Sequence, residues 1–299
     1  MTLELETTPR ESARRFLEEW PIVSMSKPTV CAILLTADRP EFARRAVESF
    51  RRQTYPAKRL LVYDTGAEDV EMDWLGDEED SRHQDIEVLE SAGVDHHGER
   101  KTIGYLRNRA NAAAAERDAS ILIHFDDDDW SHPNRIAEQV ALLQSSGADC
   151  VGYREMLFWA GQRAQIEIDP SRCGPDGAGV LGIVKSVGEA WLYSNRNPGY
   201  ALGTSLCYWR KTWERKPFTA TSRGEDLQFI TGLKCVGVPS TFRWMGPSCS
   251  GHEDLQPRMI ARIHPGNTSD AYKPEALARA SEWRRVPEWD SDARKVMES

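Results

Sequence analysis

Continuous apolar runs and helical spacings alternate along the first half of the chain. Residues 29–36 and 59–64 are apolar runs of strand length, and each ends in polar residues. Between them lies a helical spacing that begins after Pro40, a residue suited to the first turn of a helix: Ala43, Ala46, Val47 and Phe50. This β-α-β order predicts parallel strands joined by a right-handed crossover.

The same alternation continues through the rest of the chain. Further strands are predicted at 86–89, 120–125 and 260–264. Two more, at 150–159 and 162–168, are predicted to form a hairpin. Further helices begin near Thr102, Pro133 and Glu225, the last with an apolar face of Leu227, Ile230 and Leu233. The pattern predicts an α/β fold with a mostly parallel central sheet flanked by helices.

Four consecutive aspartates, Asp126, Asp127, Asp128 and Asp129, directly follow the apolar run 120–125. They therefore fall at the C-terminal end of a buried strand, where ligands bind in open α/β sheets. If extended geometry persists, Asp126 and Asp128 point one way and Asp127 and Asp129 the other. Carboxylates this close repel one another unless a cation or several donors lie among them. Taken alone, such a run would favour a solvated acidic turn. Because a buried strand precedes it, we favour a divalent metal site for a phosphorylated ligand.

Composition narrows the class of protein. The 299 residues are 40% hydrophobic and 28% charged, which is typical of globular chains, and the formal net charge of -9 argues against a nucleic-acid partner. Six cysteines without a CxxC pair match no zinc site and favour a reducing cytoplasm. We expect no membrane span, since no stretch reaches roughly 18 apolar residues, and no secretory signal at the acidic N-terminus.

The ordered set of polar motifs resembles the glycosyltransferase family 2 type of GT-A fold, with its Rossmann-like nucleotide-binding half. The motifs are Thr36-Ala37-Asp38-Arg39-Pro40, Asp64, Gly104 with Arg107-Asn108, the four aspartates with Pro133, Glu225-Asp226, and His264 with Asn267-Thr268-Ser269. The resemblance implies inverting transfer of a sugar from a nucleotide-sugar donor, with a UDP-sugar favoured, to a hydroxyl of a carbohydrate or other acceptor. It also implies Mn²⁺ or Mg²⁺ as cofactor.

The resemblance further implies roles for individual residues. Asp226 would be the general base, with Glu225 the less favoured alternative. Asp128 would ligate the metal, and His264 would supply a further ligand. Asp64 would meet the nucleobase and Asp126 the ribose, within a donor-binding set of Thr36, Asp38, Arg39, Asp64, Gly104, Arg107, Asp126 and Asp127.

The resemblance also divides the chain into three segments. Residues 1–28 would be an N-terminal extension, 29–270 the glycosyltransferase domain, and 271–299 a C-terminal helical tail. Within the domain, the half at 29–145 would bind the nucleotide-sugar and the half at 146–270 the acceptor.

Structural interpretations stand beside these functional ones. Glu225-Asp226 are also consistent with helix capping alone, and His264 with an exposed turn. His124 lies inside a buried run and is expected to be a hydrogen-bonded core histidine. His96-His97 is expected to be a surface loop, because adjacent rings seldom converge on one ion.

Three other functions are alternatives to glycosyl transfer. A nucleotidyltransferase needs a glycine-rich loop after the first strand, and residues 36–40 contain no glycine. A glycoside hydrolase needs two carboxylates and no aspartate run. A non-catalytic module that binds nucleotide-sugars would retain the fold without turnover.

Overall fold

The computed structural model describes residues 27–66, 85–160, 188–240, 257–263 and 282–298. Within these ranges eleven strands form one sheet. The strands are β1 Val30–Thr36, β2 Lys58–Asp64, β3 Ile86–Glu90, β4 Ile121–His124, β5 Trp130–Ser131, β6 Cys150–Ala160, β7 Ala190–Ser194, β8 Cys207–Trp209, β9 Cys235–Pro239, β10 Met259–Ile263 and β11 Trp283–Arg285. The helices are α1 Pro40–Arg51, α2 Ile103–Ala115, α3 Arg135–Ser146, α4 Arg210–Arg215, α5 Glu225–Ile230 and α6 Asp290–Glu298.

Strand β1 contributes to a hydrophobic core on each face of the sheet, because successive side chains of a strand point to opposite sides. Val30, Ala32 and Leu34 pack in the core that also contains buried residues of α1 and α3. Cys31 and Ile33 pack in the core that contains the buried face of α2. Helices therefore cover both faces, and the predicted α/β fold with a central sheet flanked by helices is confirmed.

The strands that lead to the aspartates pair in parallel, in the order β3-β2-β1-β4. The register sets Thr36 opposite Asp64 and His124 opposite Ile33. The carboxyl ends of β1, β2 and β4 therefore meet at one edge of the sheet. Strand β8 is antiparallel to β4 and extends the sheet toward β6, β7 and β11.

Strand β6 organises the second half of the sheet. It pairs antiparallel with β7 and β8 and in parallel with β9 and β10. The predicted strand at 150–159 is thus confirmed, whereas its proposed hairpin partner at 162–168 lies outside the described residues. The predicted N-terminal helix around 11–20 also lies outside them.

Two predictions about the later helices need correction. The helix that starts at Glu225 ends at Ile230, and Leu227 is 50% exposed, so Leu227, Ile230 and Leu233 do not form one buried helical face. The tail at 271–299 is not purely helical, since Trp283–Arg285 forms a strand antiparallel to β7 before α6 begins. A strand forms there because β7 offers an edge whose backbone groups need partners.

A buried arginine connects the elements around the end of β4. Arg135 has no exposed surface, and its guanidinium donates to the Gln139 side chain, the Ser131 hydroxyl and the carbonyl oxygens of His124 and Thr204. These four acceptors belong to α3, β5, β4 and the short 3-10 helix Gly203–Ser205. Arg135 therefore fixes the loop that follows β4 relative to three other elements.

Replacing Arg135 by methionine should destabilise the fold strongly. Arg135→Met leaves four buried acceptors without their donor, and we expect a loss of about 3–5 kcal/mol in the free energy of unfolding. Arg109→Met is the matched control, since Arg109 is exposed on α2, and its effect should stay within about 0.5 kcal/mol. Chemical denaturation measures both, and a loss below about 1 kcal/mol for Arg135→Met would contradict the assigned role.

Candidate functional site

The four aspartates after β4 divide into a protein-bound pair and a more accessible pair. Asp127 and Asp129 are 2% and 9% exposed. The side chains of Asp126 and Asp128 are 30% and 12% exposed. The strand ends at His124 and Asp129 N–H donates to Asp126 O at 3.4 Å, so a turn replaces extended geometry here. The predicted division of the four side chains is nevertheless present.

Protein donors bind the two buried aspartates. Thr36 Oγ1 donates to Asp127 Oδ2 at 2.8 Å, and the Arg39 guanidinium lies 2.9 Å from Asp127 Oδ1. The Thr204 hydroxyl donates to Asp129 Oδ2, and the Arg262 backbone N–H lies 3.3 Å from Asp129 Oδ1. Donors of the protein itself therefore bind the carboxylates of Asp127 and Asp129.

Burial sets the protonation of this pair. Desolvation, reinforced by the neighbouring charge of Asp128, raises the pKa of Asp127 to about 8, against the opposing effect of Arg39. Desolvation and the same neighbour raise the pKa of Asp129 well above its usual range. Full ionisation of these neighbouring carboxylates is therefore unfavourable unless a further cation lies among them.

The end of β1 and the loop after it bring two of the predicted donor-binding residues, Thr36 and Arg39, to the aspartates. Thr36 and Arg39 contact Asp127, and Arg39 Nη1 lies 3.8 Å from Asp128 Oδ2. Between them Asp38 has a positive φ of 53°, a conformation that aspartate tolerates better than most residues. The sharp turn after β1 therefore directs Arg39 toward the end of β4.

Asp64 lies beside this loop at the end of β2. Its side chain is buried, and its Oδ1 accepts the Gly66 N–H at 2.9 Å. A Cβ at Gly66 would come within 2.8 Å of Asp38 Oδ1 and 3.2 Å of Asp64 Oδ1. The structure thus brings Asp38 and Asp64 together, and their contacts to a donor stay predictions.

Arg107 joins the two groups of acids. Its Nη2 lies 4.0 Å from Asp126 Oδ1, and its Nε lies 3.6 Å from Glu225 Oε1. The side chain is nearly buried, contacts the His124 ring through Nη1, and lies over the ring of Phe218. The predicted donor site and the predicted base region are therefore parts of one site.

Glu225 and Asp226 occupy different environments. Gly224 has a φ of 69°, so the chain turns sharply before α5 as predicted. Glu225 is 6% exposed beside Arg107, and burial raises its pKa while Arg107 opposes the shift. Asp226 is half-buried, and its Oδ1 accepts the Leu227 N–H at 2.8 Å. Asp226 is the more accessible acid of the two.

Gly104 supports this arrangement from α2. Its N–H donates to Thr221 O at 2.9 Å, and a Cβ there would overlap the Thr219 carbonyl oxygen. The predicted close backbone approach is therefore made to the chain's own segment before Gly224. That packing alone accounts for the glycine, and a donor contact stays a prediction.

His124 is a core histidine, as predicted. Its ring is fully buried, Nδ1 lies 2.6 Å from Gly203 O, and Nε2 lies 3.2 Å from the Tyr208 hydroxyl. Burial, together with the adjacent Arg107 charge, holds the pKa of His124 well below its usual range. His96 and His97 lie in an exposed loop, also as predicted.

The accessible aspartates fit a hard divalent cation. Within the described residues no three His, Cys, Asp or Glu side chains converge as a complete metal site. Mg²⁺, however, is usually held by one or two carboxylates with substrate phosphates and water completing its shell. Asp126 and Asp128 supply that number of carboxylates, and a cation beside them would offset the repulsion among the neighbouring aspartates. His264 lies outside the described residues, so its ligand role stays a prediction.

Sequence reasoning assigned no function to three residues that shape the site: Arg135, Gly203 and Thr204. A signal for Arg135 existed, since Arg135 and Gln139 each precede an apolar residue of the buried face of α3, Ile136 and Val140. The role of Gly203 and Thr204 depends on contacts with residues distant in sequence, which the local pattern does not contain.

Comparisons with known proteins bear on the first half of the chain. Residues 31–156 match the family model described as glycosyl transferase family 2. No curated protein matches the chain. The family match and the parallel β3-β2-β1-β4 order with aspartates after β4 confirm the resemblance to that family and its GT-A fold.

Solved structures similar to the chain have low sequence identity. S. aureus TarS in complex with UDP-GlcNAc is 12% identical with a TM-score of 0.49, and the match covers 81% of this chain and 61% of that one. The mannosyltransferase PcManGT from Pyrobaculum calidifontis, in complex with GDP-Man and Mn²⁺, is 15% identical with a TM-score of 0.47, covering 96% and 74%. The chain thus spans less than two thirds of the TarS chain in that complex.

The buried histidine predicts a pH dependence of stability. Because the pKa of His124 is lowered in the folded state, the unfolded chain binds one more proton below about pH 6.5. The contribution of His124 to the free energy of unfolding should therefore fall as the pH drops below about 6.5, by up to about 1.4 kcal/mol per unit. The raised pKa values of Asp127 and Asp129 act in the opposite direction.

His124→Asn should remove this one-proton contribution while keeping an amide near the Nδ1 position. His96→Asn, which removes an exposed ring and keeps the buried one, should retain the wild-type slope. Urea denaturation between pH 5 and 7 at intervals of about half a unit compares the three slopes. Because the contributions of different groups to the slope add, an unchanged slope in His124→Asn would contradict the lowered pKa of His124.

Proposed function

Because residues 31–156 match glycosyltransferase family 2, we propose that the protein is a metal-dependent, inverting glycosyltransferase. It would transfer a sugar from a nucleoside diphosphate donor to an acceptor hydroxyl. The observation that carries this proposal is the position of Arg107 between Asp126 and Glu225. That guanidinium joins an acidic, cation-binding region to a second acid pair suited to removing a proton.

The donor would bind where β1, β2 and β4 end. Asp64 and Asp38 lie together beside the nucleobase position, and Asp126 lies nearer Arg107, on the ribose side. Arg39 lies within 4 Å of both Asp127 and Asp128, so its positive charge would stand close to the diphosphate. Thr36 orients Asp127 through its hydroxyl.

Asp128, with Asp126 beside it, would hold Mn²⁺ or Mg²⁺. When bound, the ion would stabilise the negative charge that develops on the diphosphate leaving group. Oxygen ligands suit both ions, and a nitrogen ligand such as His264 would be more compatible with Mn²⁺. The buried aspartates Asp127 and Asp129 keep the accessible pair in place.

Asp226 would accept the proton of the acceptor hydroxyl. It is the more accessible of the two acids at the start of α5, whereas Glu225 is buried against Arg107. A single base on the acceptor side, opposite the leaving group, leads to inversion by in-line displacement. Glu225 would instead hold Arg107 between the two acid groups.

The structure also bears on the competing nucleotidyltransferase function. The loop after β1 directs Arg39 to the aspartates and forms no glycine-rich cradle for a triphosphate. A binding module without turnover is the remaining alternative. Release of free nucleotide from a panel of UDP- and GDP-sugars, with and without Mn²⁺, separates it from an enzyme.

We further propose a reducing compartment for the protein. The four cysteines that the structure describes are buried free thiols: Cys31, Cys150, Cys207 and Cys235. In the described part of the chain, no helix is both long and apolar enough to cross a membrane.

Nucleoside diphosphate binding should require a divalent cation. Calorimetry with EDTA-treated protein should show UDP or GDP binding only after Mn²⁺ or Mg²⁺ is restored. Asp128→Asn should weaken the metal-dependent part of binding. Asp118→Asn removes the same charge at an exposed site whose φ of 58° suits asparagine and should bind like wild type. Equal affinity with and without metal would refute metal dependence.

Asp226→Asn should lower turnover by about 10²-fold or more and leave donor affinity unchanged, as expected for loss of a general base. Glu225→Gln should have the smaller kinetic effect. If Asp226 only caps α5, Asp226→Asn should be nearly silent, because asparagine caps helices about as well. Initial rates and donor affinities at matched stability decide between these outcomes, and near wild-type turnover would remove Asp226 from the mechanism.

A further inference from the structure

Gly203 and Asp226 approach each other unusually closely. A Cβ built on Gly203 would overlap Asp226 Oδ2 and lie 2.8 Å from both Cβ and Cγ of Asp226. Real Cβ atoms essentially never approach another atom this closely. The Asp226 side chain therefore occupies the space that any larger residue at position 203 would need.

The backbone of Gly203 gives no other reason for a glycine. Gly203 begins the 3-10 helix Gly203–Ser205 and is absent from the glycines with positive φ. Alanine can adopt its conformation without strain. The constraint on position 203 is thus the Asp226 side chain and not the chain path.

Contacts from several elements hold the 3-10 helix in place, so it cannot easily move away from Asp226. Ser205 Oγ accepts the Tyr153 N–H at 2.8 Å, and Gln139 donates to Ser205 O at 2.7 Å. His124 and Arg135 contact the carbonyl oxygens of Gly203 and Thr204. If a side chain were added at 203, Asp226 would move rather than this 3-10 helix. Its Oδ2 could turn away by side-chain rotation, but its Cβ, 2.8 Å away, could move only with the backbone of α5.

The same helix also contacts the aspartates after β4. The Thr204 hydroxyl donates to Asp129 Oδ2, one residue along from the position that meets Asp226. The helix Gly203–Ser205 therefore touches the run of four aspartates through Thr204 and Asp129, and the proposed base through Gly203. A fixed separation between base and leaving group is what in-line displacement requires.

We infer that Gly203 is a positioning residue, which holds the Asp226 carboxylate at a fixed distance from the four aspartates after β4 by leaving space for it. The inference rests on the proposed function for its kinetic consequence. Its structural part, the dependence of the Asp226 position on a glycine at 203, stands on the geometry alone.

The kinetic test is Gly203→Ala compared with Gly199→Ala. A Cβ at Gly199 would meet only Asn197 Oδ1 at 3.3 Å and Cys235 O at 4.0 Å, so this control makes the same change in the preceding loop. Gly203→Ala should lower kcat by about 10²-fold, the loss expected from a displacement of about 1 Å. Nucleoside diphosphate affinity should stay within about twofold of wild type. Gly199→Ala should resemble wild type in both.

The double variant Gly203→Ala/Asp226→Asn should turn over no more slowly than Asp226→Asn alone. If Gly203 acts only through Asp226, the effects of the two substitutions on turnover do not add. The inference would be overturned if the fold-loss in turnover of the double variant were the product of the two single losses. Near wild-type turnover in Gly203→Ala would overturn it as well.

Stability provides a test that needs no activity. Gly203→Ala should lower the denaturation midpoint less in an Asp226→Ala background than in wild type, because the obstructing carboxylate is gone. An equal shift in both backgrounds would overturn the inference, as would a double variant that fails to fold. If wild type transfers no sugar from any donor while the two shifts differ, the proposed function fails and the positioning of Asp226 by Gly203 remains supported.

Discussion

The burial of Asp127 and Asp129 beside two further aspartates is the constraint on which this site depends. Charges removed from water need partners, and adjacent like charges make the need greater. The partners come from distant parts of the chain. Thr36 at the end of β1 and Arg39 in the following loop bind Asp127. Thr204 and the backbone of Arg262 on β10 bind Asp129. Folding of the whole sheet is therefore a condition for satisfying one four-residue segment.

Much of the architecture was predictable because its causes are local. The length and apolar content of 29–36 and 59–64 indicate strands, and β1 and β2 form there. Periodicity and Pro40 indicate α1, whose buried residues include those of the predicted face. The division of the four aspartates into two pairs was predictable too, although a turn and not an extended strand produces it.

Other features were not predictable because their causes are distant in sequence. The position of Arg135 beside the apolar face of α3 gives a signal for burial, but its acceptors on β4, β5 and the 3-10 helix come together only in the folded chain. The spacing of Leu227, Ile230 and Leu233 predicts a longer helix, but α5 has only 6 residues and leaves Leu227 50% exposed. The strand β11 needs the edge of β7 as its partner, and only the folded sheet provides that edge.

The pairing of β7 with β11 has a consequence for folding while the chain is synthesised on the ribosome. Tyr193 pairs with Trp283, about 90 positions later. At synthesis rates of about 5–20 residues per second, β7 would wait roughly 5–20 seconds for its partner. During that interval its outer backbone groups could pair with a strand of a neighbouring nascent chain. When several ribosomes translate one mRNA at the same time, β7 would therefore be exposed to misassembly with a neighbouring chain. In the completed protein β11 covers this edge.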